Sequence, residues 1–164
     1  MRAVVVADTH LRPWRLALPP AVVAAMQSAD CVLHAGDLTC VAALEYLQTL
    51  APVQAVRGNV DDPEVRALLP KTRVVQLGGL RIGLVHGDGV GGSTLMRARA
   101  AFASKDGPRA DCVVFGHSHV PSRQWIDGVL YLNPGSPTDP RRSDGPAYAV
   151  LTTHPALEAE IVWV

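Results

Sequence analysis

Residues 111–119, Asp111-Cys112-Val113-Val114-Phe115-Gly116-His117-Ser118-His119, decide how the rest of the chain is read. The apolar run Cys112 to Phe115, with Val113 and Val114 favouring extended backbone, fits a short strand covered on both faces. Gly116 lets the backbone turn with no Cβ in the way. The segment then presents two imidazoles, His117 and His119, two positions apart. In an extended or turning segment that spacing is expected to send the two side chains in different directions, so that each serves a different metal ion. Taken alone, the pair reads equally as two surface histidines on a loop, and the flanking sequence decides between these readings.

Working outward, other strand patterns end in the same manner. Residues 2–7 read as a buried strand that stops at Asp8-Thr9-His10. Asp30 to Ala35 reads as another, ending in Gly36-Asp37, and residues 53–57 as a third, ending in Arg57-Gly58-Asn59. A hairpin around Gly78-Gly79 has a second strand, Leu80 to Val85, that runs into His86-Gly87-Asp88. Five strand tips thus carry a candidate ligand, and four of the six histidines lie on them. In layered α/β folds the carboxyl ends of strands line the crevice where ligands bind. His34 lies inside its strand, ahead of Asp37, and is expected to hydrogen-bond in the core or to support a ligand without touching metal. His154 sits in a distant turn beside Pro155.

Helices are expected over 20–28 from Pro20, from Thr39 as N-cap to about Leu50, and from Asp62-Pro63 as N-cap and first helical residue. A further helix follows Gly91-Gly92-Ser93, with Leu95, Ala98 and Phe102 on one face. Residues 124–132 read as one strand into Asn133-Pro134-Gly135-Ser136, and strands over 147–152 and 157–163 complete the pattern.

The 164 residues suit one domain, 1–164, with a real core. Fifteen basic and fifteen acidic residues give no net charge, so there is no electrostatic basis for a nucleic-acid or membrane surface. No apolar run approaches the roughly 20 residues of a membrane span. The N-terminal strand is too short for a signal peptide, which makes the cytoplasm the expected location. Cys31 and Cys112 lie in strand-like runs and read as buried free thiols, and Cys40 forms no Cys-x-x-Cys with either.

The charge count favours a two-metal centre. Two divalent ions bring four positive charges, Asp8 and Asp37 return two negative ones, and Asn59 and the imidazoles add none. The remainder can hold a bridging hydroxide and an anionic phosphate. Nitrogen-rich mixed ligation suits Mn²⁺, Fe²⁺, Zn²⁺ or Ni²⁺ better than Mg²⁺ or Ca²⁺, which prefer oxygen, and Mn²⁺ is the expected ion of the four.

With these five motifs in this order, from Asp8 to Arg141, the chain resembles the calcineurin-like metallophosphoesterases. Within them it is most similar to the small bacterial and archaeal single-domain phosphodiesterases. The resemblance implies a four-layer α/β/β/α sandwich of two mixed sheets with the metal site at the sheet edge. It implies that Asp8, His10 and His119 hold one metal, that Asn59, His86 and His117 hold the other, and that Asp37 bridges them. Catalysis is then carried by Asp37, Asn59 and His86 through the metals and the bridging hydroxide, which attacks phosphorus in line. Asn133-Pro134-Gly135-Ser136 with Pro140-Arg141 resembles a loop kept beside the site, although an ordinary proline-glycine turn accounts for it first.

Two departures matter. Many relatives place a histidine directly after the asparagine to assist the leaving group; here that position is Val60, and Asp61 is the nearest candidate acid. Relatives often read His-Gly-His where this chain has His86-Gly87-Asp88. Arg57, Arg141 and Arg142 are candidates to contact non-bridging phosphate oxygens. The expected activity is a metal-dependent phosphodiesterase acting on a small phosphoester, with no membrane partner and no nucleic acid beyond a nucleotide as substrate. A phosphomonoesterase of the same chemistry and a non-catalytic scaffold, like the retromer subunit that shares this fold, are the alternatives, and self-association is left open.

Overall fold

The computed structural model describes residues 1–104 and 110–164. In chain order the elements are β1 (Arg2–Val6), α1 (Pro20–Gln27), β2 (Cys31–His34), α2 (Val41–Gln48), β3 (Val53–Ala55), α3 (Pro63–Leu68), β4 (Thr72–Leu77) and β5 (Leu80–Val85). They continue with α4 (Thr94–Phe102), β6 (Cys112–Val114), β7 (Ser122–Ile126), β8 (Val129–Asn133), β9 (Ala147–Thr152) and β10 (Glu158–Trp163).

Two five-stranded sheets form, in the orders β10-β9-β1-β2-β3 and β4-β5-β6-β8-β7. β1, β2 and β3 are parallel, as are β5, β6 and β8, while antiparallel strands complete both sheets. Parallel neighbours need a crossover, and the helices α1, α2 and α4 supply three of them. The sheets pack face to face through Val5, Leu33 and Ala149 on one side and Ile82, Leu84, Cys112, Val114 and Leu132 on the other. The outer face of the first sheet packs Val4, Val6 and Val32 against Val22 and Met26 of α1 and Leu44 and Leu47 of α2. The outer face of the second packs Val113 and Tyr131 against Ala98 and Phe102 of α4. These are the four layers α/β/β/α that the resemblance implies. The alternation explains why β6 reads as a continuous apolar run: Cys112 and Val114 face one apolar layer and Val113 the other.

Two local expectations give way. The strand expected over 124–132 is a hairpin, β7 and β8, broken at Asp127-Gly128, whose φ angles are 51° and 78°. An Asp-Gly pair at positive φ fits the twist of a two-residue hairpin turn, and here it outweighs apolar continuity. Thr39 does not cap α2; that position belongs to Cys40, which makes no side-chain cap. Thr39 instead sits at φ 88°, unusual for a β-branched residue, with its hydroxyl donating to the Leu11 carbonyl.

Candidate metal centre

All the expected ligand residues lie where parallel strands end. Asp8 and His10 follow β1, Asp37 follows β2, Asn59 follows β3, His86 follows β5, and His117 and His119 follow β6. Because β1, β2 and β3 run parallel in one sheet and β5 and β6 in the other, these tips share one edge of the sandwich. Five of these residues, Asp8, His10, Asp37, His117 and His119, have φ between 45° and 68°. Such backbone is costly for residues other than glycine and clusters at functional sites. It also explains the divergence of the two β6 imidazoles. Extended strand alternation alone would point residues two apart to the same side. With both residues left-handed, His117 reaches Asn59 and His86, while His119 reaches His10 and Asp8. The neighbouring glycines leave room for the carboxylates. A Cβ on Gly116 would lie 2.8 Å from Asp8 Oδ2, and one on Gly58 would collide with Asp37 Oδ1.

Among the described residues two groups of side chains have donor atoms close enough to hold a metal ion: Asp8, His10 and His119, and Asp8, Asp37 and His86. In the first, His119 Nδ1 donates to the Asp139 carbonyl, which leaves its Nε2 to accept from His10 Nε2 at 3.3 Å. Asp8 Oδ1 lies 3.5 Å from His119 Nε2 and 3.9 Å from His86 Nε2. In the second, His86 Nδ1 donates to the Ala35 carbonyl and Nε2 points at Asp37 Oδ2, 3.2 Å away. Asn59 Oδ1 accepts from both His86 Nε2 (3.1 Å) and His117 Nδ1 (3.0 Å). Asp37 Oδ2 is also 3.8 Å from His10 Nε2, so each aspartate faces both groups.

The donor set fits divalent cations on an internal test. Asp8 Oδ1 is buried and is the one buried side-chain polar atom without a hydrogen-bond partner among the described residues. A buried acceptor left unpaired is destabilising, and a cation between the imidazoles would satisfy it. Burial raises the Asp8 carboxyl to about 7, against the opposing pull of His86. Burial also opposes charge on His86, yet its hydrogen bond to Asp37 and the charges of Asp8 and Asp37 together lift it to about 9. Asp37 is held down at about 2 because the His86 interactions outweigh its burial.

The supporting residues are specific. His34 Nδ1 accepts from the Gly36 amide, and its Nε2 therefore donates to Thr9 Oγ1 at 3.0 Å, tying the tips of β1 and β2. Asp61, expected as the candidate acid, is engaged elsewhere. Its two oxygens accept from the amides of Thr39 (2.7 Å) and Gly58 (2.6 Å), so both are engaged in bracing two loops. The Asn133–Ser136 segment is more than a turn. Asn133 Nδ2 donates to Gly116 O and Ser118 Oγ, and Ser136 Oγ donates to Asp8 O, fastening this loop to the β1 and β6 tips. Arg57 is half-buried in a cleft of about 130 Å³ with Asn59, Arg66, Lys71 and Asp88. Arg141 is exposed, pairs with Asp139 at 3.1 Å, and disfavours protons on Asp8, His10 and His119; Arg142 is exposed. Asp139, Arg66 and Lys71 were not legible as site residues, since nothing in their local sequence marks them.

The calcineurin-like phosphoesterase superfamily domain matches residues 1–155. This chain belongs to that superfamily. A probable metallophosphoesterase from Methanothermobacter thermautotrophicus is 34% identical over 158 residues, covering 96% of this chain and 90% of its own. Two solved structures share the fold at lower identity. Wild-type Vps29 from Entamoeba histolytica, complexed with Zn²⁺, is 22% identical with a TM-score of 0.72 over 99% of this chain and 98% of its own. An archaeal phosphodiesterase is 20% identical with a TM-score of 0.77 over the full length of both chains. No helix among the described residues of this phosphoesterase-superfamily chain is long and apolar enough to cross a membrane.

Proposed function

We propose that this phosphoesterase is a phosphodiesterase using two divalent transition-metal ions, Mn²⁺ first among them. The observation that carries the reading is the position of Asp8 and Asp37, each facing both imidazole groups. In this reading Asp8, His10 and His119 hold one ion, Asn59, His86 and His117 the other, and Asp37 both. When bound, the ions supply a hydroxide nucleophile at neutral pH and stabilise charge on the attacking and departing oxygens. The chain's part is to orient. Ala35 and Asp139 fix the rings of His86 and His119 through their Nδ1 protons, leaving Nε2 aimed inward. Arg57 and Arg141 lie at the margins, where non-bridging oxygens would meet them. A diester needs room for two substituents, and open space adjoins the centre beside both His10 and Asn59. The Vps29 structure from Entamoeba histolytica is complexed with Zn²⁺, which accords with metal binding by this chain.

Val60 has no proton to give, and Asp61 is occupied, so departure should depend on the leaving group's own acidity. Where a positioned acid is present it contributes about 10²–10⁴-fold. Metal analysis with turnover of bis(p-nitrophenyl) phosphate, p-nitrophenyl phosphate and an alkyl diester series tests the proposal. Metal-stimulated activity, diester over monoester, with a steep dependence on leaving-group pKa, is expected. Preference for the monoester would reassign the substrate class. Protein with neither metal nor metal-stimulated turnover would favour the scaffold reading.

A further inference from the structure

Beside His10 runs a groove of about 670 Å³, well within the size of small-molecule sites. Its outer wall is a short loop in which Arg12 and Arg15 exchange backbone hydrogen bonds, 2.8 Å in one direction and 3.4 Å in the other. Pro13 presets the turn between them and puts Trp14 at the tip. Leu11 and Leu18 anchor the two ends of the loop in the core. Trp14 is nevertheless 82% exposed, against 58% and 52% for Trp125 and Trp163. A single exposed apolar residue needs no explanation. Here the indole lines the same groove as a candidate metal ligand, on a loop pinned at both ends and flanked by two guanidinium groups. The arginine–carboxylate pairs among the described residues involve Arg81, Arg99 and Arg141, which leaves Arg12 and Arg15 unpaired with carboxylates. Asp139, the carboxylate on this wall, already faces Arg141 and His119.

We infer that this groove takes the nucleoside of a nucleotide-type phosphodiester, the base stacking on Trp14 and its polar edges meeting Arg12 and Arg15. The inference rests on the phosphodiesterase reading and adds the class of one substituent. A flat ring bearing hydrogen-bond acceptors uses both the indole face and the planar donors of arginine. An alkyl chain would leave the guanidinium groups without acceptors. The zero net charge of the chain also fits one bound nucleotide better than a nucleic-acid track.

Two measurements decide it. The chain has three tryptophans, so the double variant Trp125→Phe/Trp163→Phe leaves Trp14 as the only indole. Adenosine monophosphate at millimolar concentration should quench that fluorescence, with and without added divalent metal, and ribose 5-phosphate should not. In the second arm, p-nitrophenyl thymidine phosphate is compared with methyl p-nitrophenyl phosphate, which has the same leaving group and no base. Trp14→Ala should lower the ratio of kcat/KM for the two esters by about tenfold, through KM. An unchanged ratio, or equal quenching by the two phosphates, overturns the assignment. If neither ester is hydrolysed, the phosphodiesterase reading fails while the quenching arm still decides the groove.

Discussion

The two imidazole pairs of the centre are built on different terms. His10 and His119 lie face to face, with ring centroids 5.1 Å apart and planes 19° from parallel. His86 and His117 meet edge-on at 80°. His10 is partly exposed and borders the groove, whereas His86 is fully buried and tied at both nitrogens. Their charges differ accordingly. Burial, the largest influence, pushes the pKa values of His10, His117 and His119 down, while the carboxylates beside His86 hold it up at about 9. The core fixes the His86 half, which keeps a proton until a cation displaces it. In the other half burial favours the neutral form of both rings, and His10 alone borders the open groove. Both aspartates face both halves, and Asp37 is the one assigned to hold both ions.

The sharpest way to break that comparison is to remove a shared group. Asp37→Ala should empty both halves and cut turnover by more than about 10²-fold, beyond what loss of an outer supporting contact does. Asn59→Ala should empty chiefly the His86 half, since Asn59 Oδ1 contacts only His86 and His117 among the expected ligands. Elemental analysis of the two purified variants checks this, and equal losses would show that Asp37 is not shared.

A medium-sized effect concerns pH. In metal-free protein the His86 pKa of about 9 lies above its ordinary 6.5, so its stabilisation is complete below about 6.5 and is lost as pH rises through 9. Asp8, raised from 3.8 to about 7, acts with the same sign in a lower window. Asp37, depressed to about 2, loses its contribution only in strong acid. Rising pH therefore weakens the metal-free fold and at the same time frees ligands for a cation. The gain in Tm on adding Mn²⁺ should grow from about pH 6 to about pH 8.5. Paired thermal scans with chelator and with metal measure it. A gain that shrinks over this range would remove the proton competition on which the contrast between the halves rests.

What could be read from sequence was whatever a strand tip announces. A buried apolar run followed by glycine and a polar residue states where a side chain emerges, and parallel pairing brings such tips to one edge without further information. Contacts between distant segments were not readable. Asp61 sits two residues past Asn59 and looks like an acid, but its bonds to Thr39 and Gly58 depend on how β2 and β3 align. The grip of Ser136 on the Asp8 carbonyl joins residues 128 apart, and no local pattern in the Asn133–Ser136 run distinguishes it from a turn. Asp127-Gly128 was readable as a hairpin turn, and was masked only by the apolar residues on either side. The Trp14 loop had no readable role, because its meaning comes from the groove it borders.

The smallest expected effect comes from His34, which touches both halves indirectly. Its Nδ1 accepts from Gly36, next to Asp37, and its Nε2 donates to Thr9, between Asp8 and His10. Burial pushes its pKa down to about 3, so the ring stays neutral and its tautomer is set by the Gly36 amide. Both nitrogens are spent on the protein, and neither is left for a cation. Glutamine offers one acceptor and one donor, but not at the spacing of an imidazole, so His34→Gln should lose about one hydrogen bond, of order 1 kcal/mol. For a chain of this size that lowers Tm by about 2–4 °C. Both tips should loosen together, weakening metal binding by at most about 10²-fold with two ions per chain retained at saturation. Loss of a whole equivalent of metal would make His34 a ligand. Loss confined to one half would mean that the brace serves one strand tip only, and the symmetry of its position between β1 and β2 would then have no energetic counterpart.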